Sequence, residues 1–258
     1  MKFMSNGKNI SRLISMLKDY CEETDISTFQ ADGDADHLIV SKAIAAATLT
    51  ERPVVVVRND SDLVAMLTSA AVENSEVYIM LETNLVNIYK IQDMQKKFNP
   101  VCRELVIIMH CLTGCDTASA YYGQAKSTGI STLQSLSSDE IGELRSFITP
   151  YDDIDQKKEE VAAAGVKFLL KFYKAKTATC IHRYISYNNK LKSAKATSKF
   201  ILETVNPTSA AGRQHSFRAY HAVQQALGNQ LNPLEFGWLL DDSGDLVPDY
   251  TDQQVAPA

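Results

Sequence analysis

Four consecutive β-branched residues, Val54-Val55-Val56-Val57, constrain the fold of this chain more than any other stretch. Branching at Cβ stiffens χ1 and disfavours a helix. A run apolar at every position offers no polar face to water, so it predicts a strand buried on both faces, as in a parallel sheet. Helical periodicity flanks it. Upstream, Ile10, Leu13, Ile14, Leu17 and Cys21 repeat at intervals of three and four, with Asn9 as a cap, and 35–48 reads as a second helix. Between these, Ile26-Ser27-Thr28-Phe29 reads as a short strand. Downstream, 63–72 reads as helix and Val77-Tyr78-Ile79-Met80 as a further strand. Alternation of strand and helix at this spacing predicts an α/β domain. Beyond Leu105 helices are expected over 105–112, 117–125, 139–147, 158–175, 179–192 and 208–227, punctuated by Pro150 and Asn206-Pro207.

The 258 residues suffice for one large domain, or for a domain with an appended module. The expected division is an α/β domain over 1–150, a basic helical region over 151–235 and an extended or disordered tail over 236–258. No segment approaches the roughly 20 apolar residues of a membrane span. The start, MKFMSNGKNISRL, lacks the apolar core of a secretory signal. Five scattered cysteines (Cys21, Cys102, Cys111, Cys115, Cys180) form no disulfide framework. An intracellular setting, nuclear or cytoplasmic, is therefore expected. The net charge of −5 conceals an asymmetry: from Lys157 to Arg218 thirteen Lys and Arg face three Glu. An acidic module beside a basic helical one suits an enzyme that holds metal with carboxylates and a phosphodiester backbone with cations. Solvated lysines on helix faces are the plain alternative.

Three acidic clusters carry the chemistry. Asp32, Asp34 and Asp36 lie in ADGDAD, Asp60 and Asp62 in RNDSD after the valine run, and Asp116 in LTGCDT. Each falls where a strand or apolar segment gives way to a helix, the end of a parallel sheet at which ligands collect. Aspartate also caps helices, but one residue per helix suffices for that, and the doublets Asp34/Asp36 and Asp60/Asp62 exceed it. Like charges gathered at one edge repel unless a cation neutralises them, and hard oxygen donors select Mg²⁺ or Mn²⁺. His110, Cys111 and Cys115 suggest zinc, but no second ligand pair follows at zinc-like spacing. The turn Gly123-Gln124-Ala125-Lys126 reads either as a phosphate-binding helix start or as a simple helix break. Gln214 and Arg218 share a helix face, from which they could reach phosphates or serve the fold.

GDAD before an apolar helix, a strand before NDSD, and GCD after an apolar run, in this order, resemble the acidic motifs of the flap endonuclease/PIN-like nuclease superfamily. A fuller likeness is to a group of animal, often transposon-associated, proteins. GDADHLIV, HCLTGCDTASAYYGQAK and NPTSAAGRQHSFRAYHAVQQ here resemble that group's blocks over nearly the whole chain. The resemblance implies a PIN-like three-layer α/β domain with a mostly parallel sheet, followed by a largely α-helical C-terminal region. It also implies that Asp34, Asp36, Asp60, Asp62 and Asp116 hold one or two Mg²⁺ or Mn²⁺ for phosphodiester hydrolysis. Lys126, Lys190, Lys192, Lys195, Arg213 and Arg218 would then grip DNA or RNA. Relatives open on a strand bearing a further aspartate, whereas SNGKNISRL here matches an internal segment. Weak turnover is therefore expected, and the alternative is a catalytically degenerate nucleic-acid-binding or regulatory module.

Overall fold

The computed structural model describes residues 6–31, 33–50, 52–72, 75–82, 86–193 and 204–251. The N-terminal part runs α1 (Gly7–Glu23), α2 (Asp36–Thr50), β1 (Val54–Val57), α3 (Ser61–Ala70), β2 (Val77–Glu82), β3 (Val86–Lys90) and the short α4 (Ile91–Gln95). There follow α5 (Pro100–Arg103), α6 (Val106–Leu112), α7 (Lys126–Gln134), α8 (Ser138–Leu144), α9 (Ile154–Phe172), α10 (Thr179–Ser193) and α11 (Ser209–Ala226). A hairpin of β4 (Trp238–Leu240) and β5 (Leu246–Pro248) ends the described chain.

The expected three-layer domain with a mostly parallel sheet is not what forms. The chain is mostly helical, 58% helix against 8% strand, with sheets of only three and two strands. β1 pairs with β2 in parallel, Val54 opposite Val77, and β2 pairs with β3 antiparallel. β1 is thus an edge strand, covered on one face only. Val56, Val77 and Ile79 are buried, whereas Val55 and Val57 stand 46% and 53% exposed. Hydropathy alone could not separate a strand buried on both faces from an apolar edge strand. Ile26–Phe29 joins no sheet; Ile26 and Phe29 are exposed. The helix expected over 117–125 is a loop, and α7 begins where it was to end.

Most of the core lies in the helices. α11 is buried along nearly its whole length and packs chiefly against α9 and then α6. Glycines allow that approach: a Cβ on Gly165 of α9 would overlap the Ser216 hydroxyl of α11, and one on Gly212 would meet Val166 at 3.3 Å. Phe147, Phe172, Tyr220 and Phe236 are fully buried around this crossing. The region expected as an extended or disordered tail folds in part into the β4–β5 hairpin. Arg218 fastens it by donating to the carbonyls of Gly237 and Asp249.

Two further contacts position the acidic edge. His37, at the start of α2, lies 3.1 Å through Nδ1 from the Ala226 carbonyl at the end of α11, against Gly228 (φ +85°). Gly114, at φ +108°, lets the loop after α6 fold onto itself; a Cβ there would sit 2.5 Å from Ala120 Cα.

Candidate functional site

The first turns of α2 and α3 bring Asp34, Asp36, Asp60 and Asp62 together. Asp60 is the N-cap of α3 and accepts from the Asp62 amide at 3.0 Å. Before α2 the Asp34 Oδ1 accepts from the Asp36 amide at 3.2 Å, while the first backbone bond of the helix runs to the Ala35 carbonyl. Capping therefore accounts for Asp60 and a local side-chain bond for Asp34, which leaves Asp36 and Asp62 as the surplus.

Asp62 is well satisfied. Its Oδ1 lies 2.8 Å from Nε2 of the buried His110, with the Asp116 backbone near enough to favour the ionised carboxylate. The His110 hydrogen bond holds the Asp62 carboxyl below its usual range, against the opposing effect of burial. Asp36 is the reverse case. Its Oδ1 is buried with no hydrogen-bond partner among the described residues. Burial, then the charges of Asp34 and Asp60, push its carboxyl up to about 6, with Arg58 opposing and Asp62 adding. Arg58 lies 3.7 Å from Asp60 across the mouth of the site.

Asp116 reaches this cluster through its backbone, and its side chain is exposed. Asp32 and Lys195 lie outside the described residues. His110 is the site residue that the acidic pattern did not reveal as a partner of Asp62. Its signal is the apolar helix register that turns it inward, six residues ahead of Asp116.

The cations expected to grip a backbone are largely engaged elsewhere. Lys126 is half-buried and donates to the carbonyls of His110, at 2.6 Å, and Gly114; burial lowers its pKa. It therefore ties α7 to α6 beside the acids. Arg218 is 3% exposed and bound to backbone carbonyls, and Gln214 is buried beside it. Arg213 is bidentate on Glu159, at 3.0 and 2.6 Å. Lys190 donates to the Thr204 carbonyl at 2.8 Å, and Lys192 is exposed at the end of α10. Even Lys157, first in the basic stretch, is buried and donates to Ser146 and Thr149.

Beyond the end of α6, Cys115 Sγ lies 3.6 Å from the Thr117 hydroxyl. The neighbouring Cys111, with Thr117 and backbone donors, draws the Cys115 thiol down to about 6, and Cys115 and burial push the Cys111 thiol up. Among the described residues no three His, Cys, Asp or Glu side chains converge closely enough to enclose an ion, zinc included. The acidic edge fits a hard divalent cation in the kind of donor it offers and in the unpartnered Asp36 oxygen, while its side chains stand apart. No described helix is long and apolar enough to cross a membrane. The chain matches no family model, no curated protein and no solved structure.

Proposed function

We propose that the edge formed by Asp34, Asp36, Asp60 and Asp62 binds Mg²⁺ or Mn²⁺, and that the chain is a metal-dependent nuclease. The observation that carries the cation reading is Asp36: a buried, unpartnered carboxylate oxygen surrounded by like charge. Such a group is relieved by a proton or by a cation, and a divalent ion relieves the neighbouring acids as well. Bound there, Mg²⁺ or Mn²⁺ would supply an activated water and neutralise charge on a phosphodiester. The chain's own contribution is positional. His110 holds Asp62 ionised and oriented, Asp60 is held by the helix start it caps, and Asp34 by the Asp36 amide. Water would complete the coordination, as it commonly does for Mg²⁺.

A second reading, a binding module without turnover, has its own support. The acids do not converge as they stand, and most of the basic stretch is paired or buried. Thermal melting and a cleavage assay separate the two. Under either reading Mn²⁺ raises the melting temperature, since a ligand at a hundredfold excess over its Kd stabilises the native state by about 2.7 kcal/mol. Asp36→Asn removes most of that rise. An unchanged melting temperature across millimolar Mn²⁺ would eliminate the site. Mn²⁺-dependent cutting of single-stranded or branched DNA, lost in Asp62→Asn, marks the enzyme, and melting without cutting marks the module.

A further inference from the structure

A groove of 640 Å³ opens directly beside the acidic edge and shares Asp60 with it. Its volume falls within the range of small-molecule pockets, roughly 300 to 1,000 Å³. Two helices form its walls and both run away from the acids. α3 leads from its cap, Asp60, to Thr68, and α7 presents Lys126, Ile130 and Gln134 at helical spacing on one face. At 1.5 Å per residue these faces extend roughly 10 to 12 Å. Lys126 donates to the His110 carbonyl, which places the start of α7 at the acid end. At the other end Gln134 donates to the Lys97 carbonyl at 2.9 Å. The groove is therefore polar at each end and apolar between. Met94, Phe98 and Met109 are part of its apolar lining. The Lys97 side chain is exposed at the far end.

We infer that this groove receives a single unstacked nucleobase of a single-stranded nucleic acid, placing the phosphodiester on one side of that nucleotide at the acidic edge. The inference rests on the cation-dependent nucleic-acid reading above. The walls are aliphatic carbon (Val64, Val106, Ile130) with the Met94 and Met109 thioethers and the Phe98 ring; a flat π face suits them, since sulfur packs favourably at ring edges and a base stacks on an aromatic side chain. The length admits one nucleoside. The charge pattern sets its direction: an anionic phosphate meets a cation held by the acids at one end, and the Lys97 ammonium meets the adjacent phosphate at the other. A long apolar helix would instead leave the acids and Lys97 facing hydrocarbon, which is unfavourable for both.

The test uses the full chain with Mn²⁺ and a short single-stranded oligonucleotide carrying one 2-aminopurine, whose emission reports loss of stacking on neighbouring bases. A matched strand with an abasic site at that position is the comparison. The expected result is a change in emission on binding and about tenfold weaker binding of the abasic strand. Ile130→Trp, which fills the groove, should erase that tenfold difference, and Lys97→Glu, on the surface and harmless to the fold, should weaken both strands. Equal affinity for intact and abasic strands overturns the inference. A Mn²⁺-induced rise in melting temperature with no oligonucleotide binding also overturns it, leaves the cation site standing and gives the groove to a peptide or other apolar partner. Absence of both the rise and the binding removes the functional reading, and this inference with it.

Discussion

Asp36 carries a buried carboxylate oxygen without a hydrogen-bond partner among the described residues, beside the charges of Asp34 and Asp60. An acid whose folded pKa is raised binds a proton more readily in the native state, so it favours folding at low pH, and that advantage is lost as pH rises from 3.8 to about 6. Asp36→Asn should therefore raise metal-free stability at pH 7 by about 1 to 2 kcal/mol, allowing for screening of a part-exposed group, and the gain should vanish near pH 4. Denaturant melts of both proteins at the two pH values measure it. A difference is needed because His215 acts oppositely: burial lowers it to about 4, so it weakens the fold as pH falls below 6.5. Cys115 gives a second test at this scale. Its alkylation by iodoacetamide should reach half its plateau rate near pH 6, and Cys111→Ala should move that midpoint upward by removing the donor that holds the thiolate. A midpoint unmoved by Cys111→Ala would mean that the two thiols do not interact.

Among the elements, α11 and α1 are opposites. Gln214 and Arg218 in the PTSAAGRQHSFRAYHAVQQ block read as candidates to reach phosphates or to serve the fold, and the block builds a helix buried along most of its length. Its packing is set by small residues. Gly165→Ala should lower stability by about 1 to 3 kcal/mol in chemical denaturation despite alanine's better helix propensity, because the added methyl overlaps Ser216. A neutral effect would show that α9 and α11 sit farther apart. α1 carries a cleaner amphipathic pattern but has no buried residue. Leu17→Ala, at a position 55% exposed, should change stability by less than about 0.5 kcal/mol. A larger loss would reveal a partner for that face in solution.

For the whole molecule, the charge asymmetry is largely internal. Glu143 and Glu140, from outside the basic stretch, pair with its Lys167 and Lys171, and Glu159 within the stretch pairs with Arg213. Fewer cations are left to displace counterions than the sequence count implies. If the chain binds a single strand through the exposed Lys97 and Lys192, the slope of log affinity against log salt should be roughly −1.4, at about −0.7 per contact. Titration between low and moderate salt measures it. A slope steeper than about −5 would mean that ion-paired cations turn outward to meet the strand.

Local periodicity was enough to read α2, β1, α3, β2, α6, α9, α10 and α11, because each depends on side-chain spacing along a few turns of chain. The acidic residues at the starts of α2 and α3 were legible for the same reason: capping and charge clustering are properties of neighbours in sequence. What could not be read was which faces would be covered. Val54–Val57 looks identical whether its second face meets a helix or water, and Arg218 looks identical whether it meets phosphate or the carbonyls of Gly237 and Asp249. His110 meets Asp62 across 48 residues of sequence, a distance over which no local pattern carries information. The acids belong to the sequence; the orphaned oxygen of Asp36, the groove between α3 and α7 and the burial of α11 belong to the tertiary structure, because burial is decided by what packs on a residue and not by what precedes it.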